Sequence, residues 1–299
     1  MSNITDQSPL APMISGCETL APADPPYGAF ALKGINARMA TRAQAQSDSW
    51  LGRRFSIGLR KLVLALKPSA IDGRLWGFRV RMHPLDNVTD RHAFFLPNSW
   101  DVVERDFQDR HLPEDGVYID VGANSGLYSL LASRRLGPGG LLLALEPNPV
   151  MFARLRVNLG LNPPRARFKL YPCGIAERVG EFELMHGARN LGSGSITGRS
   201  GASRGVKVVC RPLLDVVLEA GLERIDFLKV DIEGYEAPAL KPFFEAASRS
   251  LWPRFINIES PGGIDWTALG YEVAARTRQN TLLMLSSRPD QASPAVQPV

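Results

Sequence analysis

A glycine-punctuated turn is the segment of this chain whose residue types and spacing most clearly indicate ligand binding. Asp120 ends an apolar stretch that can form a buried strand, and Gly122 and Gly126 follow at even spacing around Asn124. Glycines at such a strand-to-helix turn allow the backbone to turn and to approach a ligand closely. A dinucleotide fingerprint would need glycine at positions 124 and 127, and the chain has Asn124 and Leu127 there. The spacing therefore favours a nucleoside that carries no pyrophosphate.

A second carboxylate, Glu146, ends the next apolar run of the chain. The parallel strands of a βαβ unit bring their carboxyl ends to one edge of the sheet, where ligands bind. A carboxylate at that edge can accept hydrogen bonds from both hydroxyls of a ribose. The alternative is a tight glycine turn in an unrelated α/β protein. It is less favoured, because the first acid, the glycines and the second acid occur in the expected order.

Three motifs of the chain resemble the FkbM family of S-adenosylmethionine-dependent methyltransferases. They are the loop Asp120–Gly126, the segment Leu145–Pro149 and the K-x-D-x-E-G-x-E signature Lys229–Glu236. The resemblance covers roughly residues 75–286. It implies an α/β class I methyltransferase fold, which is a Rossmann-like, doubly wound sheet of seven strands with the last strand antiparallel, here preceded by an N-terminal extension.

The resemblance also implies that the bound nucleoside is S-adenosyl-L-methionine. The residues predicted to bind this cofactor are Asp120, Gly122, Asn124, Gly126, Glu146, Pro147, Cys173 and Gly174. The last two follow the third strand of the core, where the adenine ring packs in this fold. They could almost equally be small residues at a crowded turn.

The signature supplies the candidates for catalysis, because methyl transfer to a hydroxyl needs a positioned acceptor and a group that takes its proton. Lys229, Asp231 and Glu233 are spaced two apart, and they would share one face if the strand continued through them. Asp231 or Glu233 is predicted to be the base or to orient the acceptor. Lys229 would hold a carboxylate in its charged form, or would act as a base itself if desolvated. The alternative is a buried lysine–carboxylate network that only shapes the loop.

Glu259 ends the following strand and is predicted to bind hydroxyls of the acceptor. Together with Asp231 and Glu233 it could bind a divalent ion, but the spacing does not require one, and no metal site is predicted. The predicted activity is O-methylation of a hydroxyl on a glycan, glycolipid or small secondary metabolite, since the resemblance implies acceptors of these classes.

Two other functions are weighed against this prediction. A nicotinamide-dependent oxidoreductase would use a similar sheet, but Leu127 in place of the third glycine and the final pair of strands count against it. A non-catalytic binding protein that has kept the fold is disfavoured by the intact motifs.

Alternating strands and helices are expected to position these residues on a parallel, doubly wound sheet in a catalytic domain over residues 116–286. The core strands are predicted over 117–121, 141–146, 166–171, 225–231, 255–259, 271–276 and 280–285. The helices between them are predicted over 126–135, 149–159, 214–220 and 235–247. An insert adds strands over 179–185 and 206–211, and its segment 187–205 could be a lid over the pocket or a plain hairpin loop.

Residues 46–115 are predicted to form an N-terminal helix followed by a hairpin around 76–82. The helix over 51–67 has apolar residues on one face, with basic residues interspersed. One interpretation is an interfacial helix that makes weak contact with anionic lipid. The favoured interpretation is a helix packed on the catalytic domain or over its pocket, because the stretch is short and Pro68 stops it.

The proline-rich ends, residues 1–45 and 287–299, are predicted to be disordered tails.

The 299 residues carry a net charge of +5, much of it local to the N-terminal helix, so no basic stripe for nucleic acid is predicted. Three cysteines without a C-x-x-C pair indicate neither a disulfide framework nor a zinc site. No signal peptide or membrane-spanning run is found, and a cytoplasmic location is expected. The sequence leaves the oligomeric state open.

Overall fold

The computed structural model describes residues 16–187, 190–195 and 204–286. In these residues the α-helices are α1 (Gly34–Gln44), α2 (Trp50–Leu64), α3 (Val88–Phe95), α4 (Val102–His111), α5 (Leu127–Arg135), α6 (Pro149–Gly160), α7 (Leu213–Glu219) and α8 (Glu236–Ala246). A short 3₁₀ helix covers Arg249–Leu251. The strands are β1 (Ile71–Leu75), β2 (Phe78–Met82), β3 (Val117–Val121), β4 (Leu141–Leu145), β5 (Arg167–Tyr171), β6 (Gly174–Ile175), β7 (Gly180–Gly187), β8 (Asn190–Ser195), β9 (Arg204–Arg211), β10 (Phe227–Val230), β11 (Phe255–Ile258), β12 (Tyr271–Arg276) and β13 (Thr281–Leu285).

A seven-stranded sheet forms the centre of the fold, with the strand order β12–β13–β11–β10–β3–β4–β5. Neighbouring strands are parallel except at β13, which runs antiparallel to both β11 and β12. The predicted class I methyltransferase sheet, with an antiparallel last strand, is confirmed.

Both faces of this sheet are buried, which explains why its strands read as continuous apolar runs. Alternate residues of each strand point to opposite faces. Tyr118 and Phe227 belong to the apolar cluster on one face, and Ile119 and Leu228 belong to the cluster on the other. The apolar core therefore covers both faces of the sheet, and only the ends of the strands remain accessible to ligands.

Strand β3 lies at the point where the order of the sheet reverses, between β10 and β4. Asp120 on β3 is in register with Lys229 on β10 and with Ala144 on β4. Ligands of doubly wound sheets bind beyond the carboxyl ends of the strands at such a switch point. The topology thus brings the loop after β3, Glu146 after β4 and Asp231 after β10 to one edge.

A second sheet, with the order β6–β9–β7–β8, is built from the insert. Strands β7 and β9 are present as predicted, and each extends two residues further into the glycine- and serine-rich segment. Part of that segment, predicted as a loop or a lid, is strand β8, because its backbone pairs with β7. Residues 188–189 and 196–203 lie outside the described residues.

The prediction of disorder for residues 1–45 is wrong over residues 16–45. Cys17 exchanges backbone hydrogen bonds of 2.7 and 2.8 Å with Leu170, which adds a bridge to the edge strand β5. The carboxylate of Asp72 accepts the N–H groups of Gly28 and Phe30, and helix α1 follows. Proline content indicated a loose tail, but partners distant in sequence satisfy the backbone groups of this segment. The remaining predicted tails, residues 1–15 and 287–299, lie outside the described residues.

The N-terminal hairpin of β1 and β2 begins earlier than predicted. Its two-residue turn at Trp76 and Gly77 has positive φ angles of 49° and 92°, as tight hairpin turns require. A buried ion pair of 2.7 Å between Arg81 and Asp72 joins the two strands. The side chain of Asn158 on α6 accepts the backbone N–H of Arg81 at 2.8 Å, which fixes the hairpin to the catalytic domain.

Among the described residues, no helix is both long and apolar enough for a membrane crossing.

Candidate active site

Two adjoining cavities open at the carboxyl ends of the central strands. Residues of the glycine-lined cavity include Gly122, Glu146, Pro147, Gly174 and Cys210. Residues of the carboxylate cavity include Asp101, Lys229, Asp231, Glu233 and Glu259. Residues common to both are Thr89, Asn124, Asp231 and Glu233. The cavities therefore meet at the carboxyl end of β10.

The two glycines of the β3 loop have different roles. Gly122 has a φ of +75° and lies against the end of β10, where a Cβ atom would overlap the carbonyl oxygen of Asp231. Gly126 has a φ of +92°, and a Cβ atom on it would lie 2.7 Å from the side chain of Leu155. Gly122 lines the glycine-lined cavity, whereas Gly126 lines neither cavity and lets α5 pack against α6. Of the two glycines, only Gly122 lies where it could make the predicted contact with the cofactor, because only Gly122 lines the cavity.

Asn124 links the β3 loop to the structure that covers it. Its backbone is left-handed, with a φ of 54°, a conformation that asparagine tolerates better than most residues. Its N–H donates to Oε2 of Glu146 at 2.7 Å. Its side-chain oxygen accepts from Asn87 at 2.7 Å, and its Nδ2 donates to the carbonyl oxygen of Gly192 at 2.9 Å. A glycine at this position, as in a dinucleotide-binding loop, could make neither side-chain bond.

Glu146 lines the glycine-lined cavity and is only 6% exposed. Its Oε2 accepts the N–H of Asn124 at 2.7 Å, and its Oε1 accepts the N–H of Asn148 at 2.8 Å. A carboxylate offers about four acceptor positions, so each oxygen can accept a further bond from a ligand hydroxyl. Burial raises the pKa of Glu146 to about 7, although both backbone bonds act to lower it. This arrangement suits the predicted ribose contact.

The far end of the glycine-lined cavity is mainly apolar, with Ile175, Leu184 and Cys210 in its wall. Gly174 lies here, and a Cβ atom on it would lie 2.7 Å from Sγ of Cys210. Its neighbour Cys173 is fully buried in the core and lines neither cavity, so the structure does not place it for contact with a ring in the cavity. Burial raises the pKa of the Cys173 thiol to about 12, so the thiol is neutral.

Strand β8 covers the glycine-lined cavity and is fixed from two sides. The N–H of Leu191 donates to the carbonyl oxygen of Asp86 at 2.7 Å, and Oδ1 of Asn190 accepts the N–H of Val88 at 3.2 Å. From the β4 side, Nδ2 of Asn148 donates to the carbonyl oxygen of Leu191 at 3.1 Å. The described part of this segment therefore contributes Leu191, Gly192 and Gly194 to the cavity wall.

Lys229 supplies a buried ammonium group to the carboxylate cavity. Its Nζ donates to the carbonyl oxygen of Gly122 at 3.0 Å and lies 3.3 Å from Oδ2 of Asp231. Burial alone would lower the pKa of Lys229, but Asp231 and Asp120 together raise it above its ordinary value. Lys229 therefore keeps its proton, which argues against the alternative that it acts as a base.

Asp120 was predicted to bind the cofactor, but it is fully buried and lines neither cavity. Its Oδ2 accepts from the hydroxyl of Ser129 at 2.7 Å, and its Oδ1 lies 3.5 Å from Nζ of Lys229. Burial raises the pKa of Asp120, and the charge of Lys229 acts in the opposite direction. Asp120 thus holds Lys229, and through it the β3 loop, from beneath the site.

Asp231, Glu233 and Glu259 converge in the carboxylate cavity. Strand β10 ends at Val230, so Lys229, Asp231 and Glu233 do not share one strand face; the chain turns instead, with a left-handed φ of 55° at Glu233. One carboxylate oxygen from each of the three lies within 4.8 Å of the others, close enough for a divalent ion to bind among them. Burial, then the charges of Asp231 and Glu233, raise the pKa of Glu259 to about 9. Glu259 therefore carries a proton at neutral pH and can donate it in a hydrogen bond to Asp231.

The opposite wall of the carboxylate cavity contains a carboxylate that the sequence did not single out. Asp101 precedes α4 with a left-handed φ of 43°, and its Oδ2 accepts from the hydroxyl of Tyr128 at 2.9 Å. Burial raises the pKa of Asp101 to about 6, while the bond from Tyr128 lowers it. The ring of Trp100 lies 5.2 Å from that of Tyr128. The sequence places Asp101 directly after Trp100 and before a helix, but it does not reveal that the acid faces this cavity.

The turn between β12 and β13 completes the rim of this cavity. Oγ1 of Thr277 donates to the buried side chain of Glu104 at 2.5 Å, and Nδ2 of Asn280 donates to the same oxygen at 3.0 Å. These bonds bring Gln279 and Asn280 to the cavity wall. The sequence alone did not indicate this contribution, because Glu104 and Thr277 are far apart in the chain.

Comparison with known proteins places the site residues that the sequence predicted within one domain family. A sequence profile of the methyltransferase FkbM domain matches residues 120–264, a range that contains every predicted cofactor, acceptor and catalytic residue. Methyltransferase sdnD of Sordaria araneosa is 33% identical over 183 residues, which cover 52% of this chain and 70% of that protein.

Two further relatives carry names that specify a reaction. The 2-O-methyltransferase NoeI of Sinorhizobium fredii is 30% identical over 161 residues, covering 48% of this chain and 63% of NoeI. The 31-O-demethyl-FK506 methyltransferase FkbM of Streptomyces tacrolimicus is 29% identical over 171 residues, covering 48% of this chain and 63% of that protein. The chain thus matches less than two thirds of the length of these two relatives.

Proposed function

Because the chain belongs to the FkbM family of methyltransferases, we propose that it transfers a methyl group from S-adenosyl-L-methionine to a hydroxyl of a glycan, glycolipid or small secondary metabolite. The observation that carries the proposal is the junction at Asp231, where the glycine-lined cavity meets the carboxylate cavity. The names of two relatives, a 2-O-methyltransferase and a 31-O-demethyl-FK506 methyltransferase, support methylation at oxygen.

The residues of the glycine-lined cavity fit S-adenosyl-L-methionine, which supplies an electrophilic methyl group on a cationic sulfur when bound. Glu146 would accept hydrogen bonds from both ribose hydroxyls, because each of its oxygens has acceptor capacity left. The apolar end at Gly174 and Cys210 would pack against the adenine ring. Asn124 would close the cavity by holding the β3 loop to β8.

The carboxylate cavity fits an acceptor that carries hydroxyl groups. Carboxylates accept hydrogen bonds from hydroxyls, and Asp101 and Glu233 can both do so from the cavity wall. The rings of Trp100 and Tyr128 offer an apolar surface on which the carbon skeleton of the acceptor can pack.

Asp231 is the group we assign to take the proton of the acceptor hydroxyl. In the transfer, the acceptor oxygen forms a bond to the methyl carbon, the carbon–sulfur bond breaks, and the hydroxyl proton must leave. Asp231 lies at the junction of the cavities, and its side chain is 42% exposed. Nζ of Lys229 lies 3.3 Å from Oδ2 of Asp231, and Glu259 forms a side-chain hydrogen bond with Asp231, so both contacts orient the Asp231 side chain.

Isothermal titration calorimetry with S-adenosylhomocysteine tests the cofactor part of this proposal. We expect binding by the unmodified protein and an affinity about tenfold or more lower for Glu146→Ala, because hydrogen bonds from the ribose to a charged group are lost. Glu245→Ala, at an exposed glutamate on α8, is the matched control and should bind normally. Failure of the unmodified protein to bind at millimolar concentration would contradict the proposal, and binding of NAD instead would favour an oxidoreductase.

Transfer of a labelled methyl group to a panel of oligosaccharides, glycolipids and hydroxylated metabolites tests the acceptor part. We expect the label in an alkali-stable methyl ether. A labelled methyl ester or methylamine as the main product would show that the acceptor atom is not a hydroxyl oxygen.

A further inference from the structure

Helix α2 leaves a row of large apolar side chains in contact with water. The apolar stripe consists of Leu51, Phe55, Leu62 and Leu66, which are 70%, 51%, 58% and 67% exposed. The first three lie on α2 and the last directly follows it. Single exposed apolar residues are ordinary on protein surfaces, but four neighbouring ones mark an interaction site.

The way α2 packs explains why these side chains are exposed. Its buried residues are Gly52, Ser56 and Val63, each one position after a member of the stripe. Successive helical residues are about 100° apart, so the buried face and the stripe lie side by side rather than coinciding. The hydroxyl of Ser56 donates to the carbonyl oxygen of Ala43 at 2.8 Å, which fixes this face to α1. Half-buried Ile57, Leu59 and Leu64 also pack against the core, whereas the stripe does not. Packing on the domain, the favoured interpretation of the sequence, therefore accounts for one face only.

The surroundings of the stripe are strongly basic. Residues 34–64, which form α1 and α2, contain six basic residues and one acidic residue, Asp48. Asp48 is already paired with Arg53 at 2.6 Å. Arg54 and Lys61 are exposed on the flank of the stripe opposite the buried face, and the guanidinium of Arg54 lies 5.0 Å from the ring of Trp50. An apolar stripe bordered by basic side chains is the arrangement of helices that lie in the surface of anionic membranes.

Helix α2 also lies near the carboxylate cavity. Helix α2 packs against α3, which carries His92 on the wall of that cavity. Burial, followed by the charges of Arg60 and Arg53 on α2, lowers the pKa of His92.

We propose that α2 docks this protein onto an anionic membrane surface, with the apolar stripe at the boundary between head groups and acyl chains and with Arg54 and Lys61 among the lipid phosphates. Charge decides between a membrane and a second copy of the chain. A symmetric dimer through the stripe would bring two identical basic surfaces together, whereas an anionic bilayer offers the opposite charge.

Trp50 provides a probe of docking. Of the five tryptophans, Trp50 is 69% exposed, whereas the other four are buried or half-buried. With the full-length protein, we expect a blue shift of the fluorescence on addition of vesicles made of equal parts phosphatidylcholine and phosphatidylglycerol, and none with phosphatidylcholine alone. In Trp50→Phe the shift should disappear while co-sedimentation with the anionic vesicles remains.

Substitutions separate the apolar contribution from the electrostatic one. Leu51→Gln/Phe55→Gln should lower partitioning onto anionic vesicles by on the order of tenfold or more. Arg54→Gln and Lys61→Gln should each lower it by about fivefold, and added salt should reduce this effect. The matched controls are Leu218→Gln, at an exposed leucine on α7, and Arg165→Gln, at an exposed arginine; both should bind like the unmodified protein.

Three outcomes would overturn the proposal. One is equal binding to neutral and anionic vesicles. Another is a dimer in sedimentation velocity that Leu51→Gln/Phe55→Gln dissociates, which would assign the stripe to a second copy. The third is protection of Trp50 from acrylamide in the free protein, measured as the difference from Trp50→Phe, which would show that the chain itself covers the stripe.

Discussion

The ammonium of Lys229 lies 3.3 Å from the carboxylate of Asp231, one position beyond the end of β10. The same ammonium donates to the carbonyl oxygen of Gly122 at 3.0 Å and so connects the β3 loop to the residue we assign as base. Asp120, beneath them, is fully buried and carries the opposing charge. The β3 loop and the carboxylate cavity are thus linked by one buried cation.

Asp231→Asn should reduce turnover by about 10²- to 10⁴-fold, because the proton of the acceptor hydroxyl loses its positioned base. Affinity for S-adenosylhomocysteine should stay within a few fold of normal, since Asn keeps the size of the side chain. Steady-state kinetics and calorimetry measure the two effects. Asp115→Asn, at an exposed aspartate, should leave both unchanged. A larger loss of turnover in Glu233→Gln than in Asp231→Asn would assign the base to Glu233 instead.

Lys229→Met should lower the free energy of unfolding by about 3–5 kcal/mol, because it leaves the buried charge of Asp120 without a partner. Urea unfolding measures this loss. Adding Asp120→Asn to Lys229→Met should recover part of it, since the uncompensated charge is then removed. Equal free energies of unfolding for the single and double variants would mean that the unpaired carboxylate of Asp120 is not the cause of the loss.

Gly122→Ala should be more destabilising than Gly221→Ala, although both glycines have similar positive φ angles of +75° and +69°. The cost of a left-handed alanine, about 1–3 kcal/mol, is common to both. Only at position 122 would the added Cβ overlap the backbone of Asp231; position 221 has no atom within 4 Å. Thermal unfolding and turnover should both show the difference, and equal effects would contradict a steric role for the contact.

Stability should fall as the pH rises from about 5 to about 9, in part because of Glu259. Burial and neighbouring carboxylates raise the pKa of Glu259 from 4.5 to about 9 in the folded protein. Between these values the folded state holds a proton that the unfolded state releases, so raising the pH favours unfolding. In Glu259→Gln, Tm should depend less steeply on pH over this range. Glu223→Gln, at an exposed glutamate, serves as the control, and an identical slope in both variants would rule out the assignment.

The sequence determined the central sheet and the positions of Gly122 and Glu146 at the carboxyl ends of its strands. The strands are short, apolar and separated by helical segments, so residues that are close in sequence are enough to predict them. The seven-stranded sheet of the structure agrees with this prediction. Glu146 and Gly122 lie where the spacing predicted, because each is positioned by the end of its own strand. Helix α1, which lies in a segment predicted to be disordered, and the start of the N-terminal hairpin could not be predicted in this way, since their backbone and side-chain partners lie elsewhere in the chain.

Only the tertiary structure decided what each charged group does. Asp120 belongs to the predicted cofactor motif, yet it is buried beneath the site, whereas Asp101, more than a hundred residues before Asp231, faces the same cavity. Protonation of Glu259 follows from burial and from two neighbouring acids, which are properties of distance and solvent access rather than of spacing in the chain. Local residue types fixed which groups could bind or react, and the packing of distant segments fixed their charge and their position.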